Sequence, residues 1–256
     1  MNNNYPLHIE KQQEQIYVNA ISKLSRAVNK KVKQECNNLD SAKFAEIENQ
    51  MYAELTKVYL TTEFLTTQFN NVNYLLDAWV YSKLRNEIRK ALLKKPNKFY
   101  SVVFQKDDPL IQDFINAYTR SNIELVQTLG KQYIPQISQL ASKTFLEGGS
   151  SKELAYQMLK FTDENKNKAA FWGRNELGSA YSEFTQARQT SVGIREYIWR
   201  SVGDNKVREA HQELNGMKFN WLQGARETGL LDDTPGARHP GQPYNCRCSA
   251  EPVIEI

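Results

Sequence analysis

Glycine is missing from the first 129 of the 256 residues, and 11 of its 12 occurrences lie at or after Gly148. A long stretch without glycine has few tight turns and reads as long helices. The Gly- and Pro-punctuated remainder reads as turns, strands and short elements. Cysteine is scarce: Cys36 stands alone, and Cys246 and Cys248 form a close pair. Three thiols exclude a disulfide scaffold and make a reducing compartment the expectation. No run approaches the roughly 18 apolar residues of a membrane span, and the opening MNNNYPLHIEKQQEQ has no apolar signal-peptide core. A soluble, non-secreted protein is therefore expected. An excess of one charge is lacking too: Lys plus Arg number 33 against 29 Asp plus Glu, so net charge alone does not argue for nucleic-acid binding. No fixed repeat is present, which excludes a solenoid, and no Walker-type phosphate loop, which excludes a P-loop ATPase. What is present, 40% hydrophobic and 11% aromatic residues, suffices for a sizeable core in one or two domains.

The first half reads as a series of helices. Ile16, Ala20, Leu24, Val28 and Val32 recur every four residues and line one face. Asp40 offers an N-cap for a second helix carrying Phe44, Ile47, Met51, Leu55 and Val58. A third runs to about Lys94, where Pro96 ends it. Asp108-Pro109 is an N-cap followed by a first helical residue, opening a helix that Gly130 is expected to close. A further helix is expected from Gln136 to Glu147, ended by Gly148-Gly149, with Ser150 to Glu153 as a capping box for a short successor.

Lys83, Arg85, Arg89, Lys90, Lys94, Lys95 and Lys98 concentrate positive charge against the single acid Glu87. At 100° per residue Val80, Leu84, Ile88 and Ala91 form the neighbouring core stripe. The basic residues are either a solvated face or a phosphate contact, with Trp79, Tyr81, Phe99 and Tyr100 as candidate stacking partners or as packing.

In the last third, Ala169 to Arg188 reads as a helix whose Gly173 and Gly178 permit close approach of another element. Strand candidates are Ile194 to Val202, Lys218 to Leu222 and Pro252 to Ile256. Asp204 is expected to cap a short helix ended by Gly216, which places Asp204, Arg208 and His211 on one side. Asp232 to Asn245 is nearly all turn chemistry. The fold class expected is α+β: an elongated, mainly helical N-terminal region over 1–160, then a small α+β domain with a short antiparallel sheet over 165–256.

The ordered series Arg174-Asn175-Glu176, Tyr197-Ile198-Trp199, Asp204, Val207-Arg208, His211, Leu214-Asn215-Gly216, His239-Pro240 and Asn245-Cys246-Arg247-Cys248 resembles the minor head proteins of tailed phages related to the phage Mu head morphogenesis protein. The resemblance covers roughly residues 165–254. Asn175 departs from the family's usual Thr, and Trp221 to Asp233 reads as an insert. The resemblance implies a low-copy, non-enzymatic virion protein in the head interior, made in the host cytoplasm. It implies association with the portal protein and a part in head assembly or genome delivery, with double-stranded DNA as a candidate contact.

The same residues carry chemistry of their own. His211, His239, Cys246 and Cys248 are two imidazoles and two thiols, a set that suits zinc, although Cys-x-Cys is tighter than the usual ligand spacing. A polar network of Arg174, Glu176, Asp204, Arg208, His211, His239, Asn245, Cys246, Arg247 and Cys248 is the competing expectation. In it, Arg208 pairs with Asp204, and the loop from Asp232 to Asn245 folds over the short helix. The alternatives in function are a DNA-binding module, or a metal-dependent nuclease-like enzyme using the His/Cys cluster. Nuclease sites for hard cations want clustered carboxylates, and only Asp204, Asp232 and Asp233 are candidates.

Overall fold

A computed structural model describes residues 7–35, 46, 48–50, 53, 62–94, 108–231 and 236–254. Four long helices come first: α1 Leu7–Glu35, α2 Thr62–Leu93, α3 Pro109–Leu146 and α4 Ser151–Ser191. They are followed by β1 Glu196–Arg200, a short α5 Glu209–Glu213, β2 Lys218–Asn220, a 3-10 turn Arg226–Thr228 and β3 Ser249–Pro252. The chain is thus α+β, with the strands among its described residues lying in the C-terminal part. Among the described residues no helix is long and apolar enough to cross a membrane.

The apolar spacing decides what each helix buries. In α1, Ile16 and Leu24 are buried together with Ile9, Tyr17 and Ile21. The helix expected after Asp40 falls mostly outside the described residues, as do Cys36, Lys95 and Lys98. In α2, Leu65, Phe69, Val72, Leu76, Val80, Leu84 and Ile88 recur every three or four residues and are all buried. At the start of α3 the Leu110 N–H donates to Asp108 Oδ1 at 3.0 Å, the cap that Asp108-Pro109 announces.

Two expected helix ends do not occur. α3 runs on through Gly130 and Pro135 to Leu146. A proline inside a helix removes one hydrogen bond and costs about 3 kcal/mol. Against that, Val126, Leu129, Tyr133, Ile134, Ile137 and Ala141 form an unbroken buried stripe on both sides of it, and burial of several such side chains outweighs the lost bond. The actual stop is at Gly148, φ +77°, with the Gly149 N–H donating to Thr144 O at 2.8 Å. Likewise α4 does not restart at Ala169 but is one helix of 41 residues.

The boundary expected at residues 160–165 therefore lies inside α4. The chain instead forms two compact units, one of residues 1–11, 70–118 and 174–256, the other of 12–69 and 119–173. Each long helix contributes a segment to both. In the second unit, Gln13 and Tyr17 both donate to Asn122 Oδ1 at 2.6 Å, and the Ser25 and Tyr133 hydroxyls bond Thr162.

In the first unit the sheet has the order β2-β1-β3 and is antiparallel throughout. Tyr197 pairs with Phe219 and Pro252, and Trp199 pairs with Ala250. Alternation along β1 sends Tyr197 and Trp199 into the core, where they meet Leu214, Trp221, Ala225, Leu231, Cys246, Cys248 and Ala250. The third strand lies earlier than the expected Pro252 to Ile256: the register with β1 selects Ser249–Pro252. β2 stops at Asn220, because Asn220 Oδ1 accepts from the Leu222 and Gln223 N–H groups and turns the chain.

Candidate functional site

The sequence-singled residues converge on the connections around this sheet. Asp204 is not on the short helix. It sits in a turn, its Oδ1 accepting from the Lys206 N–H at 3.1 Å, and it pairs with Arg247, not with Arg208. Arg247 donates to its two oxygens at 2.6 and 2.7 Å, a bidentate fork. The hydrogen bonds from this guanidinium hold the Asp204 carboxyl below the usual carboxylate range. Arg208 is the N-cap residue of α5, and its side chain reaches away to donate to Tyr244 O at 2.6 Å. The corrected pairing has a simple cause: Asp204 lies outside α5, so the i, i+4 rule does not apply to it.

Asn245 is in the left-handed region, φ +52°, a conformation that asparagine tolerates. Its N–H donates to Asn175 Oδ1 at 3.2 Å on α4. The Asn175 side chain is thus the acceptor that docks the cysteine segment. Leu214-Asn215-Gly216 ties α5 to β1: Asn215 Oδ1 accepts from the Ser201 N–H at 3.1 Å, and the Gly216 N–H donates to Trp199 O at 2.8 Å. Arg174 and Glu176 lie half-buried on α4, and burial pushes the Glu176 carboxyl up.

His211, Cys246 and Cys248 come together. All three are buried, with ligand atoms within 4.8 Å of one another. His211 Nδ1 lies 3.6 Å from Cys246 Sγ and 3.7 Å from Cys248 Sγ. The Cys-x-Cys spacing works because the segment is extended, so residues i and i+2 share a face while Arg247 between them turns outward to Asp204. Cys246 Sγ also accepts the N–H groups of Gly241 and Cys248, each at 3.4 Å. Burial opposes ionisation, yet hydrogen bonds from Cys248, His211 and the Gly241 backbone hold the Cys246 thiol well below the ordinary thiol range. The bond to Cys246, together with burial, pushes the Cys248 thiol up. A cavity of about 110 Å³ opens beside the cluster, lined also by Lys206, Arg208 and Asn245.

His239, the expected fourth member, is elsewhere. Its Nδ1 bonds the Tyr197 hydroxyl at 3.0 Å, and its ring packs against Trp221 at 5.0 Å. Burial, with Arg238 adding to it, pushes its pKa down to about 4, while burial raises that of Tyr197. The imidazole is therefore neutral at pH 7 and shares a hydrogen bond with a phenol that is itself protonated.

Three residues outside the singled-out set hold the loop. Gln242 Oε1 accepts from the Arg238 and His239 N–H groups at 2.8 and 3.0 Å. Gln189 accepts from Trp221 Nε1 at 3.0 Å and donates to Ala250 O at 3.1 Å. Gly178 faces Gly241: a Cβ at Gly178 would stand 3.0 Å from Gly241 O. Only the glycine carried a signal in sequence, since a glutamine in a helix or a loop announces no partner.

On α2, Val80, Leu84 and Ile88 are buried as the stripe required. Lys83 donates to the Tyr181 hydroxyl at 2.9 Å. Arg85, Arg89, Lys90 and Lys94 are exposed. Asp232 and Asp233 lie outside the described residues.

Residues 136–251 match the family described as "Phage Mu protein F like protein". The match runs from within α3 into β3 and contains every residue of the C-terminal cluster. A stretch of 152 residues is 30% identical to an uncharacterized protein of Haemophilus influenzae, covering 59% of this chain and 32% of that one. The chain thus spans about a third of the length of the curated relative it matches. No solved structure matches it. Over residues 136–251 the chain is thus similar to the Phage Mu protein F like family.

Proposed function

We propose that the protein is a low-copy minor head protein of a tailed phage or prophage, associated with the portal vertex and acting in head morphogenesis and genome delivery. It works as a structural component of the head interior, not as an enzyme, after assembly in the host cytoplasm. The observation that carries this is the family match over residues 136–251, whose polar residues fasten a compact sheet. Quantitative mass spectrometry of purified heads tests it. The expected result is a few copies per head relative to coat protein and co-purification with the portal protein, with few infectious particles when the gene is deleted. Heads that lack the protein and remain fully infectious would sink the proposal.

A contact with double-stranded DNA as part of that role rests on the exposed Arg85, Arg89, Lys90 and Lys94 of α2. Replacing all four by Gln is expected to weaken DNA binding on every sequence alike. It should also flatten the dependence of log K on log salt by roughly 0.9 for each phosphate no longer neutralised. An unchanged slope assigns these residues to solvation.

A further inference from the structure

We propose that His211, Cys246 and Cys248 bind one zinc ion per chain as a three-ligand site whose fourth position is filled by water from the adjoining cavity. This goes beyond the head-protein role and does not depend on it. The distances carry it. At Zn–N of about 2.0–2.1 Å and Zn–S of about 2.3 Å, a tetrahedral angle puts nitrogen and sulfur about 3.6 Å apart. His211 Nδ1 stands 3.6 and 3.7 Å from the two sulfurs. A single ring nitrogen holds one proton or one lone pair and cannot bond two thiols equally, whereas an ion between them is equidistant from both.

Two thiolates and an imidazole form a soft-to-borderline set that favours zinc over magnesium or calcium. Binding displaces the protons of both thiols, and the two sulfur charges balance the ion. His239 is not a ligand, since its Nδ1 is committed to Tyr197. The cavity of about 110 Å³ lies against all three donors and has room for a water molecule.

The full chain carrying Cys36→Ser, to leave two thiols, tests the site. Elemental analysis is expected to give one zinc per chain, and X-ray absorption to give two sulfur and two nitrogen or oxygen neighbours. Cobalt(II) in place of zinc should show thiolate-to-metal charge transfer. Zinc should slow alkylation of Cys246 and Cys248 in the otherwise unaltered chain, a readout that needs no folded variant. Cys246→Ser and Cys248→Ser should each lose more than the 10–100-fold in affinity that a second-shell change costs. His239→Gln should keep the cobalt band. Absence of zinc with unchanged thiol alkylation, three or four sulfur neighbours, or a cobalt band that survives the Cys246→Ser/Cys248→Ser double change would each overturn the proposal.

Discussion

His239 shows what a single residue contributes. Its folded pKa, about 4, lies below the ordinary 6.5 because the neutral ring is buried against Tyr197 and Trp221, with the Arg238 charge beside it. Above pH 6.5 neither the folded nor the unfolded chain protonates it. Between about 6.5 and 4 the unfolded chain takes up the proton and the folded one does not, so stability falls as pH falls through that window. The total loss is about 3 kcal/mol. Urea unfolding at pH 7, 6, 5 and 4 should show it, and His239→Gln should remove most of that slope while lowering stability at pH 7. A slope that His239→Gln leaves unchanged would assign the acid sensitivity to other groups. The sequence flagged this histidine as a metal ligand because two histidines and two cysteines suggest a four-ligand set. Ligand chemistry is legible from residue type, but which partner a side chain meets depends on a register that only the folded sheet fixes.

At the level of elements, α2 and α4 are joined by a buried ion pair: Arg188 donates to both oxygens of Asp77 at 2.7 and 2.8 Å, with the arginine side chain 3% exposed. Asp77→Ala removes the carboxylate from a buried ion pair and should cost about 3–5 kcal/mol, while adding Arg188→Met should restore most of the loss. Denaturant midpoints of the single and double variants decide it: a double variant no more stable than the single one would show that the charge was not the cause. Gly178 of α4 gives a prediction whose sign is informative. Elsewhere in a helix, Gly→Ala gains about 1 kcal/mol. Here the new methyl meets Gly241 O at 3.0 Å, so Gly178→Ala should instead destabilise by about 1–3 kcal/mol and speed alkylation of Cys246. A rise in stability would show that the loop yields freely. Helix starts were legible because caps are local: Asp108-Pro109 and Ser150 act where they stand, the latter accepting from the Glu153 N–H at 3.3 Å. The continuity of α3 through Pro135 was not, since the burial that outweighs the proline comes from residues distant in sequence.

At the scale of the whole molecule, the described residues are mostly helical, with the sheet in their C-terminal part. Residues 70–118 belong to the same unit as 174–256. Lys83 bonds Tyr181, Tyr118 packs on Phe184 at 5.9 Å, and Leu84 and Ile88 share a cluster with Ile194. A fragment of residues 165–256 would expose all of these partners and take Asp77 away from Arg188. It should melt without a cooperative transition, whereas the full chain melts sharply; a fragment with a sharp transition would show that the sheet region is self-sufficient. Glycine counting reports where the backbone turns tightly, and the packing of long helices leaves no mark on that count. The contact of Gly178 with Gly241 also acts as a notch. Gly173 and Gly178 are the only glycines in α4, and the residues one turn either side of Gly178 are Arg174 and Ser182. Backbone can lie against backbone there at one axial setting of the helix, so α4 cannot slip by a turn past the loop that carries the two cysteines without driving a side chain into it.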